Sequence, residues 1–147
     1  MQVSNWDKRF LEMAALVSTW SKDPGTKVGS VIVAQDKRVI AVGFNGFPAG
    51  MKDDPELYAD REVKLSRIVH AEINALLYAG ILPQHTTVYT YPFMPCDRCV
   101  VQLIQAGVRR FVAPVATLEA LERWGTAFNK TRSYISECHG ELVEVNE

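Results

Sequence analysis

Three side chains able to hold a metal, and one able to move protons beside it, fall between His70 and Cys99. His70-Ala71-Glu72 comes first, and Pro95-Cys96-Asp97-Arg98-Cys99 follows after a short apolar stretch. One imidazole and two thiolates supply three ligands of a tetrahedral zinc, and the fourth position then stays open to water, as in catalytic rather than structural zinc sites. Glu72 would stand beside the Zn2+ without binding it, where a carboxylate can take a proton from an activated water and hand it on. Alone, Cys-x-x-Cys serves a redox pair as readily as a metal, and a lone His is often a core residue. The upstream His-x-Glu and the apolar stretch between the two motifs weigh for zinc. A closed structural site would need a fourth protein ligand, for which Cys138, His139 and His85 are the spare candidates.

The elements around these residues must bring them to one point. Ser66 to Gly80 reads as a helix opening near His70, with Ile73, Leu76 and Leu77 as its apolar stripe and Gly80 as its stop. A second helix starts at Cys96 after Pro95 and runs to Ala106, which places both thiols at an electropositive helix start that favours thiolate. Trp6, Phe10, Met13, Val17 and Trp20 recur at helical spacing behind a cap at Ser4 or Asn5. Val28 to Ala34 reads as a buried strand, and Val39 to Phe44 returns antiparallel to it. Asn45 to Lys64 is turn-rich and then polar, long enough for a functional loop. Strands at Thr87–Thr90, Arg110–Pro114 and Glu141–Val145 alternate with helices. That alternation predicts an α/β fold, a mixed and largely parallel sheet with active groups at strand ends and helix starts.

Composition excludes several classes. A length of 147 residues with 48% hydrophobic and 22% charged residues predicts one globular domain over 1–147. No apolar run reaches the roughly 20 residues of a membrane span, and no signal-peptide pattern opens the chain. Three cysteines, two assigned to metal, leave no disulfide framework, which predicts a reducing, cytoplasmic setting. A net charge of −1 gives no footprint for a polymeric nucleic acid, although a small phosphate-bearing ligand needs only a few local cations.

Over nearly its whole length the chain resembles the deoxycytidylate (dCMP) deaminase family of the cytidine deaminase superfamily. Ser21-Lys22-Asp23-Pro24, Val28-Gly29, Gly43-Phe44-Asn45-Gly46-Phe47-Pro48-Ala49-Gly50, His70-Ala71-Glu72-Ile73-Asn74-Ala75 and Pro95-Cys96-Asp97-Arg98-Cys99 match its pattern in order. The resemblance implies a three-layer α/β/α sandwich around a mixed five-stranded sheet. It implies zinc-dependent hydrolysis of dCMP to dUMP and ammonia, in pyrimidine deoxynucleotide metabolism, by a homo-oligomer, often a hexamer. By resemblance, Asn45 binds the sugar, Val28 lines the base pocket, and the backbone around Ala71 and Pro95 reads the cytosine edge. Phe44 stands where the family has a tyrosine in a stretch tied to allosteric dCTP and dTTP. The segment from Thr117 to Thr131 departs from the better-known members.

The residues themselves add to this. An Asn between turn glycines has the backbone freedom and two-way hydrogen bonding that suit a sugar hydroxyl. Lys22, Lys27 and Arg123 are candidates for a substrate phosphate and Trp124 for a cover over the base, each with an ordinary reading as a solvated charge or a packed ring. Rival substrates are a cytidine or deoxycytidine nucleoside, dCTP, a 5-substituted dCMP or a tRNA adenosine. The rival of another class is a zinc-stabilised binding module without turnover, against which an unliganded Glu72 argues.

Overall fold

The computed structural model describes residues 3–147. The first helix, α1 (Asn5–Ser18), opens with a capping box. Ser4 Oγ accepts from the Asp7 amide at 3.0 Å, and an Asp7 carboxylate oxygen accepts from the Ser4 amide at 3.1 Å. Its buried stripe is Phe10, Leu11, Ala14 and Val17, while Trp6 and Trp20, expected in the stripe, are exposed. Trp20 lies beyond the helix end, and its ring meets Phe44 edge-on at 6.2 Å.

Strands β1 (Gly29–Val33), β2 (Val39–Phe44), β3 (Thr87–Tyr91), β4 (Arg110–Pro114) and β5 (Glu141–Val145) form one sheet in the order β2-β1-β3-β4-β5. The expected hairpin of β1 and β2 is present. The sheet is evenly mixed rather than largely parallel, because β1 also pairs antiparallel with β3, and only β3–β4 and β4–β5 are parallel. Side chains of β1 and β3 alternate between two cores. Val31, Val33 and Tyr89 pack on α1, and Ile32 and Val88 pack on the opposite layer. That layer holds α4 (Ala71–Ala79), α5 (Asp97–Gln105) and α6 (Leu118–Glu137), which completes three layers.

The segment expected as a loop carries two short helices, α2 (Pro55–Ala59) and α3 (Arg61–Arg67). Asp60 caps the second by accepting from the Val63 amide at 3.2 Å. The expected helix from Ser66 is interrupted at 68–70. There Val69 exchanges backbone hydrogen bonds with Gly46 at 2.8 and 3.1 Å, which holds the chain extended and makes His70 the cap of α4. Stacking of Phe47 on Tyr58, with ring centroids 4.0 Å apart, ties α2 to the Asn45–Gly50 turn.

Helix α4 buries Ala71, Glu72 and Ala75, whereas Leu77 of the expected stripe is exposed. Gly43 explains the close fit. A Cβ there would collide with Ala71 O and with the Ala75 amide, so only glycine lets the start of α4 lie against β2.

One buried charge holds the far side of the sheet. The Asp7 carboxylate receives both Arg110 Nη atoms at 2.9 Å and the Tyr89 hydroxyl at 2.7 Å. Burial pushes its pKa up, but hydrogen bonds from Arg110, Ser4 and Tyr89 outweigh burial and hold it well below the usual carboxylate range. Since breaking a buried pair strands its partner, Asp7→Ala is expected to cost about 3–5 kcal/mol of stability. Asp7→Asn gives the pH test. The folded state binds the proton more weakly than the unfolded chain, so the wild-type advantage is full above the ordinary value of 3.8 and fades as pH falls below it. Melting curves from pH 7 down to 3 should show the two proteins converging, and a constant gap would remove the charge of Asp7 from the account.

Candidate active site

Two helix starts meet at the site. His70 is the N-cap of α4 and Cys96 the N-cap of α5, and both keep extended backbone while Cys99 lies one turn into its helix. His70 Nδ1 is 3.1 Å from Cys99 Sγ and 3.6 Å from Cys96 Sγ. The three ligand atoms lie within 4.8 Å of one another. A nitrogen and a sulfur bound to one tetrahedral zinc are roughly 3.5 Å apart, so the donor set and its spacing fit Zn2+. Among the described residues this is the one such cluster. Cys138, intermediate in exposure, donates to Ile135 O instead.

The electrostatics of the triad prepare it for a cation. The Cys99 thiol donates to Cys96, and with the help of His70 this holds the Cys96 thiol near 4, as a thiolate. The same contact pushes Cys99 up, and its hydrogen bond to Cys96 raises His70. Cation binding would displace these protons. Glu72, in the first turn of α4, is 3% exposed, and burial pushes its carboxyl up to about 7 against the pull of His70. A carboxyl poised there can both accept and donate a proton near neutral pH.

Glu72, His70 and Cys96 line a cavity of about 340 Å³. Val28, Asn45, Ala71, Arg123 and Trp124, all singled out from the sequence, line it as well. Trp124 packs on Phe93 with centroids 4.8 Å apart, and the Arg123 guanidinium sits 4.4 Å from the Trp124 ring centroid. Cys99 is not in the lining, and neither are three of the candidate substrate contacts. Lys22 pairs with Asp53 at 2.7 Å in solvent, the Lys27 ammonium donates to Ser21 O at 2.6 Å, and the Pro95 carbonyl accepts from Thr131 Oγ1 at 2.9 Å.

The sequence reading missed the wall built by α3, where Arg61, Lys64, Leu65 and Ile68 face the cavity. Their i, i+3, i+4 and i+7 spacing behind a cap at Asp60 was the available signal. It also missed Phe93, Met94 and Phe128, and Asp23 as a buried wall residue.

A zinc-fitting His-Cys-Cys set with an adjoining buried glutamate, at two helix starts over a mixed five-stranded sheet, defines a zinc hydrolase of the deaminase type. Residues 4–115 match the cytidine and deoxycytidylate deaminase zinc-binding region, and the chain belongs to that family of enzymes. It is 38% identical over 141 residues to an uncharacterized deaminase from the luxG 3′ region of Aliivibrio fischeri, covering 96% of this chain and 94% of that one. It is 37% identical over 106 residues to a probable deoxycytidylate deaminase of Caenorhabditis elegans, covering 70% of this chain and 54% of that protein, about half its length. The fold is shared with the dCMP deaminase of cyanophage S-TIM5, solved with dCMP and dUMP, at a TM-score of 0.72 and 19% identity over 99% of this chain and 100% of that one. Among the described residues no helix is long and apolar enough to cross a membrane.

Proposed function

We propose that this protein hydrolyses dCMP to dUMP and ammonia, supplying dUMP to pyrimidine deoxynucleotide metabolism in the reducing cytoplasm, where thiolate ligands persist. One observation carries the choice of a nucleotide. The cavity that His70, Cys96 and Glu72 line is also lined by Arg61 and Arg123, and neither makes an ion pair among the described residues. A guanidinium without a carboxylate partner suits a phosphate. The names of relatives as deoxycytidylate deaminases, and the dCMP and dUMP in the cyanophage enzyme, support the same substrate.

In this reading His70, Cys96 and Cys99 hold the zinc. The metal, when bound, supplies the Lewis acidity that makes water a nucleophile near neutral pH. Glu72 takes a proton from the water and delivers it to N3 of the cytosine ring, which makes C4 electrophilic as the water oxygen bonds to it. Glu72 then takes the remaining proton from the new C4 hydroxyl and carries it to the exocyclic amine, so that the C4–N bond breaks as the C4 carbonyl forms, and ammonia leaves a uracil ring. Val28, Phe93 and Trp124 enclose the base and exclude bulk water.

A panel of dCMP, deoxycytidine, dCTP and 5-methyl-dCMP, read by ammonia release, tests the reading. The kcat/KM for dCMP should exceed that for deoxycytidine by about 10- to 100-fold, the worth of a charged hydrogen-bonded contact. Arg123→Ala should erase most of that preference. Equal turnover of the nucleoside would transfer the protein to the nucleoside branch.

A further inference from the structure

Asp23 places a carboxylate where charge is costly. Its side chain is 2% exposed in the cavity wall, and the chemistry above does not use it. Lys64 Nζ, from α3, donates to its two oxygens at 2.9 and 2.8 Å. The Gly25 amide donates to Oδ1 at 2.8 Å, and Asn45 Nδ2 donates to Oδ2 at 3.3 Å. The second Asn45 Nδ2 hydrogen goes to Thr26 O at 2.9 Å, while Asn45 Oδ1 accepts from the Val28 amide at 2.9 Å.

Two consequences follow from this wiring. A carboxylate only accepts, so Asp23 fixes which end of the Asn45 amide faces it, and both amide hydrogens are spent inside the protein. Toward a ligand Asn45 has only a lone pair of Oδ1 to offer. Helix α3, meanwhile, has no buried residue, so the buried end of the Lys64–Asp23 pair is one of its few ties to the body, beside the Val69–Gly46 bridge and the Arg67 Nη1 bond to Lys52 O at 3.4 Å.

We propose that Asp23 is a positioning residue that acts through both partners. Through Lys64 it holds α3 as the cavity wall, and through Asn45 it presents an acceptor to a hydroxyl-bearing ligand. The hydroxyl therefore donates to Asn45. This rests on the nucleotide reading, in which the donor is the one free sugar hydroxyl of dCMP.

The test uses zinc-loaded full-length protein. Lys64→Met alone strands a buried carboxylate, so the double variant Asp23→Asn, Lys64→Met, which removes both charges, is the main probe. Lys64→Arg, which keeps the charge, is the conservative rescue. Amide hydrogen exchange should quicken across residues 61–67 in the double variant and return toward wild type in Lys64→Arg. With dCMP, the double variant should raise KM at least about tenfold while kcat stays within about threefold, because Glu72 and the metal ligands are untouched. Unchanged exchange over 61–67 overturns the tether, and an unchanged KM overturns the positioning of the ligand. If wild-type protein does not deaminate dCMP, the substrate reading has failed, and exchange alone then decides the tether.

Discussion

Glu72→Gln is expected to fold, keep its zinc and bind dCMP, yet lose about 10⁴-fold or more in kcat. One positioned acid–base group contributes about 10²–10⁴-fold, and a group used at the water, at N3 and at the amine stands at the top of that range. The variant is nearly isosteric, so packing at the start of α4 is kept. Glu72 is 3% exposed, and burial works against its charged form, so an amide there should leave the melting temperature equal or higher. A mutant as stable as wild type and as rich in zinc, but inert, separates chemistry from structure. The binding-module alternative predicts no such split, since a residue serving only the start of α4 would change stability and leave nothing to inactivate. Steady-state ammonia release, zinc content and melting curves on the two proteins give the answer. Turnover within tenfold of wild type, with zinc retained, would remove Glu72 from the mechanism.

Residues whose role follows from their own chemistry were legible in the sequence. That His70, Cys96 and Cys99 would be brought to one point with Glu72 beside them could be read from type and spacing, because few arrangements could hold a metal and leave a carboxylate next to it. The strands of the β1–β2 hairpin and the helix after Pro95 were equally plain. What escaped depended on partners distant in sequence. Nothing local says that Val69 will bridge to Gly46, yet that bridge ends α3 and frees His70 to cap α4. Lys64 closed a stretch expected as a polar loop, and nothing local points to Asp23, 41 residues earlier, as its partner. Lys22, from the same Ser-Lys-Asp-Pro run, went the opposite way and pairs in solvent with Asp53. A cation's neighbours decide its work, and those neighbours are set by tertiary packing. The α1 stripe failed at its ends for a related reason, since periodicity marks a face but not where the neighbouring layer stops covering it.

Cys99→Ala should take zinc from about one per chain to nearly none and abolish deamination with it. Two remaining ligands, His70 and Cys96, rarely retain the metal, since catalytic sites keep three protein ligands and one open position. Cys99 is the buried thiol of the pair, 3% exposed, with its sulfur 3.1 Å from His70 Nδ1, and among the described residues no other cluster of metal-ligating groups is present. Its loss also changes the proton count. In the metal-free protein the Cys99 thiol keeps its proton by donating to Cys96, and binding a cation must release it, so zinc titrated into weakly buffered wild-type protein should liberate acid. The alanine variant lacks that proton and holds nearly no zinc, so the same titration should liberate little acid. Truncation of one small side chain in α5 leaves the apolar contacts of Val100 and Leu103 in place, so the variant should remain folded enough to assay. Metal analysis beside a melting curve therefore distinguishes a lost ligand from a lost fold. Full zinc occupancy in folded Cys99→Ala would refute the ligand set and require another residue to complete it.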